Sequence, residues 1–183
     1  MQHDNRTGRV TGATWVPSPN FDHRPVGARV NALVIHGISL PPGEYGGGEI
    51  EGFFCNRLDH DAHPYFDRIR GMRVSAHFLI KRDGQLLQFV STLERAWHAG
   101  RSALEGVSGV NDFSIGVELE GTDEDEYTDA QYRDLARLAR TLLEAYPEID
   151  SGRIVGHCDV APDRKTDPGP HFDWPRLRRD IGA

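Results

Sequence analysis

The stretch VSAHFLIKRDGQLLQFV, Val74 to Val90, constrains the fold of this chain more than any other. Two apolar-rich runs flank Asp83-Gly84, a pair that supplies the positive φ angles of a tight turn, so the segment is predicted as a β-hairpin. Ahead of it, an apolar run from about Val30 to Ile35 predicts a buried strand. A short helix is expected from Glu49 to Leu58, with Phe53, Phe54 and Leu58 inward. Behind it, FSIGVELE alternates Phe113, Ile115, Val117 and Leu119 against Ser114, Gly116, Glu118 and Glu120, the period of a strand with one apolar face. From Thr128 the period changes. Thr128 and Gln131 stand in capping-box spacing, and Tyr132, Leu135, Leu138 and Leu142 form one stripe of a helix that ends near Tyr146, before Pro147.

A short strand, Arg153 to Gly156, and a terminal helix over Asp173 to Ile181 complete the pattern, with Asp173 as cap and Pro175 in the first turn. This order of elements predicts an α/β (α+β) fold, a mixed central β-sheet flanked by helices. The 183 residues suffice for one sizeable core, so residues 1–183 are read as a single domain. Residues 1–28, rich in Pro, Asn, Asp and Arg, are expected as an irregular arm laid over it.

The formal net charge of −7 argues against general affinity for nucleic acid or an anionic membrane. Arg176-Leu-Arg-Arg179 is a local basic patch, read as a solvated helix face. The first ten residues have no apolar core of a signal peptide, and no uncharged run approaches the ~18 residues of a membrane helix. The two cysteines, Cys55 and Cys158, lie far apart without C-x-x-C spacing, so neither a disulfide framework nor a Cys-rich zinc knuckle is implied. A monomer in the reducing cytoplasm is the expectation.

Chemistry concentrates in GHCDVAPDRKTDPGP, Gly156 to Pro170, which offers an imidazole (His157), a carboxylate (Asp167) and a cation between them (Lys165). A second imidazole, His36, closes the apolar run Ala32-Leu-Val-Ile35. Two histidines and a carboxylate leave the fourth tetrahedral position on Zn²⁺ open, the arrangement of a catalytic zinc site. Of the nine histidines, His36 and His157 stand out because each ends a strand-like run. His3, His23, His60 and His63 fall in polar or irregular segments. Cys158 is read as a buried filler, with metal ligation as the alternative. Periodicity does not choose between Glu118 and Glu120, which share a face, and Lys165 has the alternative of pairing with Asp163. His98, in AWHAG, is a substrate contact or a rim residue.

Together NALVIHGISLPPG (Asn31 to Gly43), AWHAG (Ala96 to Gly100), NDFSIGVELEGTD (Asn111 to Asp123) and GHCDVAPDRKTDPGP resemble the AmpD-type N-acetylmuramoyl-L-alanine amidases over nearly the whole chain. The resemblance implies the amidase 2 fold, shared with peptidoglycan recognition proteins. It implies one zinc ion on His36, His157 and Asp167, Glu118 rather than Glu120 as the catalytic carboxylate, and Lys165 as a transition-state cation. Trp97, His98 and Asn111 become candidate substrate contacts. Gly37 stands where the family usually has Asn, Cys158 where Ser is common, and the segment GVSGV before Asn111 lacks a frequent Arg. The implied substrate is a soluble 1,6-anhydro-muropeptide met during cell-wall recycling. Its carboxylates predict Arg and Lys side chains in the cleft. Competing expectations are an exported amidase acting on polymeric peptidoglycan, a non-catalytic peptidoglycan-binding module, and a structural zinc site with Cys158 as fourth ligand.

Overall fold

The computed structural model describes residues 1–182. Among the described residues twelve strands occur in chain order: β1 (His3–Asp4), β2 (Arg9–Val10), β3 (Thr14–Trp15), β4 (Phe21–His23), β5 (Ala32–Ile38), β6 (Phe78–Ile80), β7 (Leu86–Gln88), β8 (Glu94–Ala96), β9 (Ala103–Leu104), β10 (Val107–Ser108), β11 (Ser114–Glu120) and β12 (Ile154–Gly156). The α-helices are α1 (Glu49–Phe54), α2 (Asp129–Ala145), α3 (His157–Val160) and α4 (Trp174–Ile181). Six strands form the central sheet in the order β12-β5-β11-β6-β7-β3. It is mixed: β12, β5, β11 and β6 run parallel, β7 turns back antiparallel to β6, and β3 runs parallel to β7.

The two faces of this sheet have different tasks. Leu33, Ile35, Ile115, Val117 and Leu119 point to one side, where they pack with Leu135, Leu138 and Leu142 of α2 and Leu177 of α4. The capping box begins α2 as the sequence predicts, with Thr128 accepting from the Gln131 amide and Gln131 accepting from the Thr128 amide. Asp173 likewise caps α4 by accepting from Arg176 N–H. On the other side, Ala32 and Val34 meet Ala99, Val110 and Val160, while Leu79, Leu87 and Phe89 meet Phe53 and Phe54. The polar half of β11 belongs to this second face. All seven residues of β11 are buried, so its alternation separates a core face from a site face rather than from solvent.

Several elements differ from the sequence reading. Residues 1–28 are not an irregular arm: β1 pairs with β2, β4 pairs with β8, and β3 is the edge strand of the central sheet. Two-residue strands carry no periodicity, and their order comes from backbone pairing to distant partners. The hairpin turn is longer than a two-residue turn. Lys81 N–H bonds the Gln85 carbonyl, and within the turn only Gly84 has positive φ, at 90°. A side chain at Gly84 would also meet Asp134 of α2, its Cβ 2.7 Å from Oδ2. Helix α1 stops at Phe54 rather than Leu58, because Asn56 takes a left-handed φ of 56°. Finally, β12 ends at Gly156 and His157 opens the one-turn helix α3, whose Asp159 carboxylate accepts from Gly156 N–H at 2.7 Å.

Candidate metal centre and active-site cleft

Register places the site. On the parallel pair β5 and β11, His36 stands directly beside Glu118, so both side chains leave the same face of the sheet. Strand β12, on the other side of β5, delivers His157 at its C-terminal end. The segment after α3 then returns, and Cys158 N–H donates to the Asp167 carbonyl at 2.9 Å, which fixes Asp167 over the two imidazoles. Because α3 is helical, Cys158 follows His157 within one helical turn rather than along an extended segment. Cys158 is half-buried with its thiol pushed up by burial, and it is not a member of the ligand group.

His36 Nδ1 lies 2.9 Å from His157 Nδ1 and 3.3 Å from Asp167 Oδ2, while His157 Nδ1 lies 3.0 Å from Asp167 Oδ2. For an ion bound tetrahedrally at about 2.0 Å, ligand atoms stand about 3.3 Å apart. The three atoms thus form one face of such a site, and the donor set fits a divalent ion. They are the one group of three or more His, Cys, Asp or Glu among the described residues that could hold a metal. Burial lowers the His36 pKa to about 4, which keeps its imidazole in the neutral, ligating form at neutral pH. Burial opposes ionisation of Asp167, yet the adjoining imidazoles of His157 and His36 outweigh it and hold that carboxyl well below its usual range.

Glu118 is 8% exposed and its Oε2 has no hydrogen-bond partner. Burial, then the charge of Asp167, push its carboxyl well above the usual range, with Lys165 acting in the opposite sense. An orphaned, basic carboxylate oxygen beside a ligand histidine is what a proton-transfer group looks like. Glu120 is different. Its Oε1 accepts from Gly46 N–H at 2.7 Å and its Oε2 from Arg82 N–H at 3.0 Å, so it ties the 39–48 loop to the hairpin turn. Lys165 forms no ion pair with Asp163 among the described residues and instead lines the cleft.

That cleft, about 660 Å³, opens over His157, Asp167 and Glu118. Its lining combines the apolar side chains of Leu40, Phe53, Tyr65, Ile69, Met72 and Trp97 with the polar ones of Thr122, Asp123, Arg164 and Lys165. Arg and Lys do line it, as expected for an acidic ligand. Trp97 is half-buried, its indole N–H donating to Asp22 at 3.1 Å. His98 lines the cleft while both its ring nitrogens are engaged by neighbouring side chains, and Asn111 is not among the lining residues. His98 lies beneath His36, with Nδ1 2.9 Å from His36 Nε2 and Nε2 3.1 Å from Ser114 Oγ. Asn111 Oδ1 accepts from the backbone N–H groups of His98 and Ala99 at 3.3 and 2.8 Å.

Sequence reading missed His77 and Ser114. His77 is fully buried, accepting from Gly116 N–H and packing edge-on to His98. Its position two residues before Leu79 on the site face was the available signal. The Arg176–Arg179 patch is an ordinary surface: Arg176 pairs with Asp129 and Asp180, and Arg179 with Asp180.

The model of the family Amidase_2, N-acetylmuramoyl-L-alanine amidase, matches residues 26–170. The 1,6-anhydro-N-acetylmuramyl-L-alanine amidase AmpD of Salmonella typhimurium strain SL1344 is 56% identical over 171 residues, 93% of this chain and 91% of that protein. AmpD of Haemophilus influenzae is 50% identical over 178 residues, 97% of each chain. Among solved structures, a crystal structure of a Se-Met AmpD derivative superposes with a TM-score of 0.95 at 51% identity, covering 99% of both chains. The Escherichia coli amidase AmiD, in complex with the substrate anhydro-N-acetylmuramic acid-L-Ala-D-gamma-Glu-L-Lys, gives a TM-score of 0.62 at 29% identity, covering 86% of this chain and 60% of that one. By its matched family model, its full-length relatives and its fold, the chain is a member of the N-acetylmuramoyl-L-alanine amidase family.

Proposed function

We propose that this protein hydrolyses the amide between the lactyl carbonyl of 1,6-anhydro-N-acetylmuramic acid and L-alanine in soluble muropeptides, as a zinc enzyme of cytoplasmic peptidoglycan recycling. The observation that carries the reading is the convergence of His36, His157 and Asp167 beside Glu118, in a chain similar along its length to enzymes named for that reaction. Two free cysteines suit a reducing compartment. The protein works as a monomer with a small-molecule substrate, and no described helix is long and apolar enough to cross a membrane.

His36 Nδ1, His157 Nδ1 and Asp167 Oδ2 hold the ion. Bound zinc supplies Lewis acidity towards the amide carbonyl and lowers the pKa of water towards ~7. Glu118, whose raised pKa brings it nearer neutrality, takes the proton from the attacking water and returns it to the departing amine, a poor leaving group. The Lys165 ammonium faces the oxyanion of the tetrahedral intermediate, where loss of one such donor costs ~3 kcal/mol. Trp97 forms part of the wall for the sugar, and Arg164 and Lys165, on the same lining, meet peptide carboxylates.

Mass spectrometry of protein incubated with 1,6-anhydro-N-acetylmuramyl tripeptide tests the reading. Release of free tripeptide that stops on chelation and returns with zinc is expected. Intact substrate alongside cleavage of polymeric peptidoglycan would assign the protein to the polymer instead, and intact substrate of both kinds would make it a binding module.

A further inference from the structure

Beneath the two ligand histidines lies a hydrogen-bonded chain whose direction is fixed at its far end. A backbone carbonyl can only accept, so the Ser114 hydroxyl donates to the Val110 carbonyl, 2.6 Å away. Its oxygen therefore accepts from His98 Nε2–H at 3.1 Å. With its proton on Nε2, His98 has a bare Nδ1, which accepts from His36 Nε2–H at 2.9 Å. His36 is thereby left with a lone pair on Nδ1, the atom that faces Asp167. His157 reaches the same state by a shorter route, because its Nε2 faces the Ala99 carbonyl at 3.4 Å. Two neighbouring residues thus supply both acceptors: the His98 ring for one ligand and the Ala99 carbonyl for the other.

The segment carrying these acceptors is itself held by Asn111 and by Arg164, whose guanidinium donates to the Ala99 carbonyl at 2.6 Å. Asn111 Oδ1 receives the backbone N–H groups of both His98 and Ala99. Gly116 completes the seat, since a Cβ there would lie 2.4 Å from His98 Cγ. The polar contacts that set the two imidazoles therefore trace back to Asn111 and Ser114, with Arg164 also bonded to the Ala99 carbonyl.

We propose that Asn111 and His98 are positioning residues that set the affinity of the metal centre without touching the metal. Asn111 fixes the backbone of residues 98–99, and that backbone with the His98 ring keeps His36 and His157 in the ligating tautomer and orientation. The proposal rests on the metal-centre reading above. It replaces the expectation that these two side chains are substrate contacts.

The test measures zinc affinity by competition with a chelating dye, together with the visible spectrum of the cobalt(II)-loaded protein. Asn111→Leu and His98→Leu remove the acceptors; Asn111→Asp keeps an oxygen at the same place, and in His98→Asn the Oδ1 stands close to where the imidazole Nδ1 was. The Leu variants are expected to bind zinc about 10–100-fold more weakly with altered cobalt bands, and the Asp and Asn variants to stay within a few-fold of wild type. Tight zinc binding by both Leu variants, or equal weakening in the conservative pair, would overturn the proposal. If the Leu variants do not fold, Ser114→Ala serves, because loss of the hydroxyl frees the His98 tautomer; unchanged affinity and cobalt spectrum there would also overturn it. Wild-type protein that binds neither ion would instead indict the metal-centre reading.

Discussion

Glu118 occupies a position where every local influence has a consequence for proton transfer. Burial and Asp167 raise its pKa and Lys165 restrains it, so the carboxylate is more basic than usual, and in the proposed role of base it must be ionised to act. Activity should therefore fall as pH drops through the Glu118 pKa, which lies above 4.5. Glu118→Gln keeps the shape and removes the base: kcat is expected to fall about 10²–10⁴-fold at unchanged zinc affinity. Steady-state kinetics on metal-titrated protein checks this, and a variant with near-normal kcat would reassign the base. Gly116 is constrained just as tightly by the His98 ring above it. Gly116→Ala should cost about 1–3 kcal/mol through overpacking, and adding His98→Ala should recover part of that loss while leaving zinc binding weak. Denaturant unfolding of the single and double variants decides; additive losses would show that the ring and the methyl do not compete.

At the scale of elements, Glu120 shows how β11 serves two ends at once. Two residues beyond Glu118, it turns both carboxylate oxygens to backbone N–H groups of separate loops, at Gly46 and Arg82. Glu120→Gln would face one of those amides with an NH₂ group. A stability loss of about 1–3 kcal/mol and faster hydrogen exchange across residues 39–48 are expected, whereas unchanged exchange would mean the loop is held by other contacts. The sequence already separated these roles in part. Alternation along 113–120 marked one apolar face, and the capping box marked the start of α2, because both signals are local. Glu118 and Glu120 share the opposite face, so only a family resemblance favoured one of them, and only the partners of Glu120 explain why. The same limit accounts for the N-terminal strands, where two-residue pairings leave no period to read, and for α3, where one helical turn after a strand is shorter than any periodic signal. His36, His157 and Asp167 were legible as types at element ends. Their layer of support was not, because Asn111, Ser114 and His77 act through backbone atoms of segments that the sequence leaves far apart.

For the whole molecule, the site's polar residues sit inside the fold, and that links its chemistry to global stability. His36, His77 and His98 are all buried, which lowers the His36 pKa to about 4, the His77 pKa to about 3, and that of His98 well below 6.5. In the unfolded chain each takes up a proton near pH 6.5, so between about 6.5 and 4 the unfolded state binds more protons and acidification favours unfolding. Glu118 acts in the opposite sense: its raised folded-state pKa means the folded protein holds a proton there that the unfolded chain has released above about 4.5. Three groups against one leave a net uptake of protons on unfolding below pH 6.5, so stability falls with pH there. The metal-free protein should therefore lose stability as the pH falls from 6.5 to 5. Zinc at a concentration of about 100 Kd should add ~2.7 kcal/mol. Urea unfolding of the metal-free and zinc-loaded forms at pH 7, 6 and 5 measures both effects. A midpoint that stays level or rises as the metal-free protein is acidified would mean that the three histidines do not remain neutral in the fold, and with that the ligating state of His36 at neutral pH would lose its physical basis.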